Sequence, residues 1–221
     1  MSPTNPVFFE RLTPENAALL LIDMQTGLML GVTTISPVEL KNNVLALAHL
    51  SLTYQLPTLL TTSAVQGPNG PYLPEVAELF PGQEIQNRML VNAWDDPKFV
   101  AAVEKTGRKK LIMAAITTDV CLLFPALAAV QAGYDVYAVV DASGCFSTAA
   151  ESSAITRMAQ AGVKITGWGT VTAELLHDWS QPISQKTGAV LGQYMPATGY
   201  LVNNMAAQQA TANQQAALQP A

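Results

Sequence analysis

Charge is what this sequence has least of. Asp, Glu, Lys and Arg together make up 12% of its 221 residues, about half of the ~25% of an ordinary soluble domain. A disordered chain needs high charge and low hydrophobicity, and here 49% of the residues are hydrophobic, which excludes that class. With 11 basic residues against 16 acidic ones, there is no cationic excess to hold a phosphate backbone, so nucleic acid is not expected as a partner. Long apolar runs are missing too. The longest, Ala17 to Ile22 and Leu111 to Ile116, fall far short of the ~20 residues that span a bilayer, which argues against a membrane protein. Cysteine is scarce: Cys121 and Cys145 form no CxxC pair, which excludes a disulfide-built fold and leaves two free thiols. Only two histidines occur, His49 and His177, which limits any mechanism built on a His base or a His-rich metal site. The opening MSPTNPVFFERLTPEN has one Arg and no apolar core, so no signal peptide is expected and the chain reads as cytoplasmic. So uncharged a chain needs another means of staying soluble, and burial of surface against copies of itself, as a homo-oligomer, is the economical one.

What is present is a repeated pattern of short apolar runs separated by segments of helical period. Strands are predicted at residues 17–22, 58–62, 111–116, 136–140 and 163–166. A helix opens on the capping box Ser36-Pro37-Val38-Glu39 and carries Leu40, Val44 and Leu47 on one face. Further helices are predicted over 74–80, 97–106 with Asp96 as N-cap, 119–132 ending at Gly133, 149–161 stopped by Gly162, and 171–179. The loop GPNGP at residues 67 to 71 prevents regular structure. Strands apolar on both faces with helical crossovers predict a parallel sheet covered on both sides. The fold class is therefore α/β, a doubly wound and mainly parallel sheet, over residues ~10 to ~180. Residues 1–186 read as this domain and 187–221 as an extension without one charged side chain. Leu191, Tyr194, Met195, Tyr200, Leu201, Val202 and Met205 in it suit an arm packed on a neighbouring subunit. Its last dozen residues fit a low-complexity tail equally well.

Ligands of an open parallel sheet bind beyond the carboxyl ends of the strands, so the residues just after each strand carry the search. Asp23 follows the first strand, and Cys121 lies in the turn TTDVC after the strand ending at Ile116. A thiol at a helix N-terminus feels the positive end of the macrodipole, which favours thiolate, and the amides there suit an oxyanion. Pro125 has no N–H to bond the carbonyl of Cys121, which predicts a kinked first turn. By position alone both residues have blander readings: a lone cysteine in an apolar helix is most often a small core residue, and a carboxylate after a strand often only caps a loop. His49 and His177 follow no strand and read as structural or surface residues. Cys145, in DASGCF, reads as a loop or pocket residue, with a resolving thiol as the alternative. Trp94 and Phe124 suit an apolar pocket or the core equally. Neither GxGxxG after the first strand nor GxxxxGK[ST] occurs, which weighs against nucleotide binding.

Three stretches in order, LLLIDMQTGL around Asp23, RMLVNAWDDPKFVAAV from Arg88, and KKLIMAAITTDVCLLFPALAAVQAGYDVYAVVDASG around Cys121, resemble the isochorismatase-like cysteine hydrolases, most closely the YcaC-like branch. The resemblance implies a triad: Asp23 as general base, Cys121 as nucleophile, and a basic residue, Arg88 by motif, that holds the aspartate and the substrate. Arg88 stands where most of the family has Lys, and its role would be electrostatic. The segment from Arg88 to Asn92-Ala-Trp-Asp is one residue shorter than usual for the branch. The resemblance also implies a cis peptide between Ile116 and Thr117, an oxyanion site from the backbone amides of Thr117 and Cys121, and a ring-built octamer. Nicotinamidases of the family bind a metal through Asp and His after the second strand, where this chain reads LLTTSAVQGPNG; isochorismatases proper lack the cysteine. The implied activity is a hydrolase of small amides or related acyl compounds, with a small-molecule substrate, no metal and no cofactor. The competing reading is a thiol redox, sensing or structural oligomeric protein on the same scaffold.

Overall fold

A computed structural model describes residues 10–217. Residues 1–9, which carry much of the signal-peptide reading, and the last four residues lie outside the described residues. One sheet holds β1 (Ala17–Ile22), β2 (Thr58–Ser63), β3 (Ile85–Arg88), β4 (Lys110–Ala115), β5 (Asp135–Val139) and β6 (Lys164–Thr166). The helices are α1 (Thr26–Gly31), α2 (Pro37–Thr53), α3 (Pro74–Ala77), α4 (Pro97–Lys105), α5 (Leu123–Gln131), α6 (Thr148–Gln160), α7 (Trp168–Leu176), α8 (Ser184–Tyr194) and α9 (Pro196–Ala217). All strand pairs are parallel, in the order β3-β2-β1-β4-β5-β6. The chain winds outward from β1 to β3, crosses back, and winds the other way from β4 to β6. The switch point lies between β1 and β4, the crevice where such sheets bind ligands.

Strand alternation divides the core in two. Leu19 and Leu21 of β1 face the layer made by α2, α7 and α8, with Leu40, Leu47, Val171 and Leu191. Ala18, Leu20 and Ile22 face Phe99, Val103, Leu123, Ala126 and Met158 of α4, α5 and α6. Strand β1 and all of β4 beyond Lys110 are apolar because both their faces are covered. Local signals act as their chemistry requires: Ser36 Oγ accepts from Glu39 N at 3.1 Å, Asp96 Oδ1 from Lys98 N at 2.9 Å, and Gly133 takes φ +86° after α5.

Several elements depart from the sequence expectation, the short helix α1 among them. Strand β3, Ile-Gln-Asn-Arg, is short, polar and half-buried, and it adds to the sheet edge beside β2; an edge strand needs no continuous apolar run. Helix α7 begins at Trp168, three residues before the predicted start, because Asp141 Oδ1, from a distant loop, accepts from Trp168 N at 2.9 Å. The uncharged extension is not one arm. Its first part belongs to α8, whose Val190, Leu191 and Tyr194 join this chain's own core, while Asn42 Nδ2 donates to the Tyr194 carbonyl and the Tyr54 and Thr187 hydroxyls meet at 2.7 Å. The packed body therefore runs past the expected boundary at 186, through Tyr194. On α9, Tyr200, Leu201 and Met205 are exposed; the side chain of Val202 lies outside the described residues.

Candidate active site

Asp23 follows the last residue of β1 and is fully buried. Its φ of +55° lies in the left-handed region that Asp tolerates better than most residues, and it turns the chain away from the sheet at its carboxyl edge. Arg88 ends β3, two strands away. Ile22 pairs with Thr61 of β2, and Ser63 pairs with Arg88, so the guanidinium spans β2 to reach Asp23. It does so with both arms: Nη1 donates to Oδ1 at 2.8 Å and Nη2 to Oδ2 at 2.7 Å. Nη1 also donates to Thr61 Oγ1 and the Thr62 carbonyl, and Nη2 to the Val91 carbonyl. The shorter segment after Arg88 leaves this reach intact, since its own Val91 carbonyl is one of the acceptors. Two-armed pairs of this kind fix orientation as well as charge.

Cys121 sits beside that pair. The predicted disturbance at the start of the helix takes the form of a π-helical turn over Thr118–Leu122, after which α5 continues regularly. Leu122 N donates to the Thr117 carbonyl five residues back at 3.0 Å, and Pro125, one turn on, has no N–H to restore the tighter pattern at Cys121. The cis peptide joins Ile116 to Thr117. Thr118 holds the turn from behind, its N–H donating to the Gly144 carbonyl and its hydroxyl to Glu151.

The surroundings of the thiol push it the other way from the helix N-terminus that the sequence offers. Burial pushes the Cys121 thiol well above its ordinary value, the Asp23 charge and its hydrogen bond to the thiol push the same way, and a hydrogen bond from the Thr117 backbone and the Arg88 charge only partly oppose them. Desolvation and a neighbouring carboxylate outweigh the helix N-terminus, whose first turn is not a regular α turn. Burial and the neighbouring carboxylate thus favour the protonated thiol over the thiolate.

Cys121 and Thr117 open into a cleft of about 240 Å³. Its remaining polar lining comes from Ser63, the last residue of β2, and Asn69 in the loop after it, and its apolar walls from Leu28, Val120, Phe146 and the run Met89 to Val91. A larger cleft of about 650 Å³ lies at the opposite edge of the sheet, between the segment before β1 and the end of α7, and none of Asp23, Arg88 and Cys121 lines it. Gln25, in the motif Asp23-Met24-Gln25, has a bracing part that its pattern did not explain: Nε2 donates to the Ser63 and Gly70 carbonyls and Oε1 accepts from Ser63 N. It straps the 63–70 loop to the end of β1. Gly27 lets the two segments touch, since a Cβ there would lie 2.0 Å from the Pro68 carbonyl oxygen.

The other candidates fall outside this cleft's lining. His49 packs against Tyr194, ring centroids 5.4 Å apart, and burial lowers its pKa. His177 caps α7 and borders the far cleft. Trp94 meets Phe99 and Tyr134 edge-on. Phe124 is partly exposed. Cys145 is buried, and burial raises its thiol pKa. Both cysteines are free thiols. Among the described residues no three His, Cys, Asp or Glu side chains group as a metal site would require, and no helix is long and apolar enough to cross a membrane.

A doubly wound sheet that gathers Asp, Arg and Cys at its carboxyl edge defines an isochorismatase-like α/β protein. An isochorismatase domain model matches residues 17–170, and the chain belongs to that family, in its YcaC-like branch. It is 47% identical over 176 residues to the Escherichia coli K12 protein named "Probable hydrolase YcaC", covering 79% of this chain and 85% of that one. The crystal structure of the E. coli YcaC gene product, described as an octameric hydrolase of unknown specificity, superposes with a TM-score of 0.88 at 43% identity, covering 93% of this chain and 100% of that chain. YcaC from Pseudomonas aeruginosa, solved with hexane-2,5-diol and covalent acrylamide, superposes with a TM-score of 0.87 at 45% identity, covering 90% and 98%.

Proposed function

We propose that this isochorismatase-family hydrolase is a cysteine hydrolase of small amides or related acyl compounds, with Cys121 as nucleophile, Asp23 as general base and Arg88 as the group that holds Asp23. The observation that carries the reading is the buried two-armed Arg88–Asp23 pair beside the Cys121 thiol. A carboxylate so fixed is pre-oriented to accept a proton from sulfur, which answers the raised thiol pKa: the thiolate forms only as it attacks. In the first half-reaction Asp23 takes the thiol proton, sulfur bonds the acyl carbon, and the carbonyl electrons move to oxygen, where the Thr117 and Cys121 amides would receive them. Collapse breaks the C–N bond, the nitrogen leaves with the proton from Asp23, and a thioester remains. Water then gives its proton to Asp23 and attacks the thioester, releasing the acid as sulfur regains the proton. No step calls on a metal or cofactor. We also propose that the chain works as a homo-oligomer, since its E. coli relative is octameric and apolar side chains of α9 are exposed.

A screen of small amides, ureas and carbamoyl compounds tests the reading, with Cys121→Ala as control. Turnover by the native chain and loss of about 10⁴-fold or more in the variant is the expected result. Hydrolysis retained by Cys121→Ala, or by Cys121→Ser at the native rate, would remove the nucleophile. A disulfide between Cys121 and Cys145 under mild peroxide would favour redox sensing instead.

A further inference from the structure

We infer that Glu151 is a positioning residue: its carboxylate ties the turn that carries Cys121 to the two loops beside it, and so sets where the thiol lies against Asp23. The inference deepens the proposed reaction and rests on Cys121 as its nucleophile. Glu151 stands half-buried in the first turn of α6, where an acidic residue favours the helix macrodipole. Its contacts show a more specific use. Among the described residues no Lys or Arg pairs with it. Its side chain instead receives two hydroxyls, both on Oε1: Thr118 Oγ1 donates at 3.2 Å and Thr34 Oγ1 at 2.9 Å.

A carboxylate only accepts, so each hydroxyl gives its one proton to it, and the direction of every bond behind them is fixed. The Thr34 oxygen is left as an acceptor and takes the Cys145 N–H at 2.9 Å. Thr118, fully buried, opens the π-helical turn that runs to Leu122. Three segments thus converge on one oxygen: residues 33–34 after α1, the turn at 117–118 and, through Thr34, the loop 144–146 between β5 and α6. Backbone bonds lace the same segments together. Thr33 N and Thr34 N donate to the Cys145 carbonyl, Thr118 N to the Gly144 carbonyl, and Thr33 Oγ1 to the carbonyl of Phe146, which walls the cleft. Little slack remains between them: a Cβ at Gly144 would lie 2.6 Å from Val32 Cγ1, and one at Gly31 2.7 Å from Phe146 Cε1. In so close-packed a joint a shift at Thr118 passes to Cys121, less than one turn on, rather than being absorbed.

Turnover and thiol chemistry test this separately. Glu151→Ala removes the acceptor of both hydroxyls. On an amide that the native chain turns over, kcat should fall about tenfold or more, the scale of a small displacement at a reacting centre. KM should change little, since Glu151 does not line the cleft. Glu151→Gln keeps an acceptor oxygen at the same reach while losing the charge, and should recover most of the loss. A residue needed only for its charge at the start of α6 would give the opposite pattern, a lowered melting temperature in both variants with native kcat in each. The second readout needs no turnover. Labelling of Cys121 by iodoacetamide, followed by peptide mass from neutral to alkaline pH, should begin at lower pH in Glu151→Ala than in the native chain, because the contact with Asp23 that helps raise the thiol pKa loosens. Glu151→Gln should keep the native onset. Thr118→Val cuts the tie from its other end, should reproduce both effects, and takes the place of Glu151→Ala if that variant does not fold. Native kcat and native labelling onset in Glu151→Ala, or equal losses in Glu151→Ala and Glu151→Gln, would overturn the inference. If the onset shifts as expected while no amide is hydrolysed, the positioning role stands and the hydrolytic reading falls.

Discussion

The sign of the Cys121 shift decides how this site is activated. In the unfolded chain the thiol ionises above about 8.5, whereas in the folded chain burial and Asp23 keep it protonated to higher pH. The folded state thus holds one more proton above that pH, so stability falls as pH rises, by about 1.4 kcal/mol per unit for this group. Below it both states are protonated and the group contributes no slope. Urea midpoints measured from neutral to alkaline pH should therefore decline more steeply for the native chain than for Cys121→Ala. Asp23→Asn removes the charge that is the second cause of the shift and should bring the thiolate's ultraviolet absorbance in at lower pH while abolishing turnover. An unmoved titration would mean that burial alone sets it. Arg88→Ala leaves Asp23 buried without its partner and should cost about 3–5 kcal/mol in denaturant unfolding. At this scale Asp23 and Cys121 are legible in the sequence, since each follows an apolar run. The reach of Arg88 across β2 is not, because it depends on the register of a strand too polar to announce itself. The direction of the thiol pKa is not legible either, since it comes from burial and from a carboxylate 98 positions away, which only the folded sheet brings together.

At the scale of elements, the π-helical turn at Cys121 and the loop strap shape the proposed site. Pro125→Ala supplies the missing N–H and should let the π-helical turn relax toward a regular α turn. Turnover should fall about tenfold or more, a small displacement being costly at a reacting centre, with the melting temperature unchanged or raised. Lowered stability with normal turnover would contradict a role for that turn. Gly27→Ala forces a methyl onto the Pro68 carbonyl oxygen and should destabilise the fold by about 1–3 kcal/mol, with the 63–70 loop displaced from Gln25. The central strands β1 and β4 are readable because both their faces are buried, and Ser36 and Asp96 because capping is local. The start of α7 is not, since its cap comes from Asp141 in another loop.

The shortage of charge is explained at the scale of the whole molecule. The parallel strands buried on both faces, β1 and β4 above all, account for part of it, and α8, uncharged after Lys186, for more, because its Val190, Leu191 and Tyr194 are core residues. Truncation after Lys186 should unfold the chain: those three side chains contribute about 1.5–3 kcal/mol each, against a total margin of about 5–15 kcal/mol. Truncation after Met195 spares them. It should leave circular dichroism of the body intact and reduce the assembly seen by light scattering, while an unchanged assembly would put the subunit interface elsewhere. The extension is thus legible as unusual in composition but not in its division, since only packing distinguishes the half that completes the core from the half that presents Tyr200, Leu201 and Met205 outward.

Trapping the intermediate tests the chemistry most directly. The native chain is mixed with an excess of a small amide that it turns over, quenched in acid within one turnover, and mapped by peptide mass. The expected result is the acyl mass on the peptide that carries Cys121, lost on treatment with hydroxylamine and missing from Cys121→Ala. Turnover with no acyl group on Cys121, or an acyl group on any other residue, would contradict a covalent mechanism at this thiol.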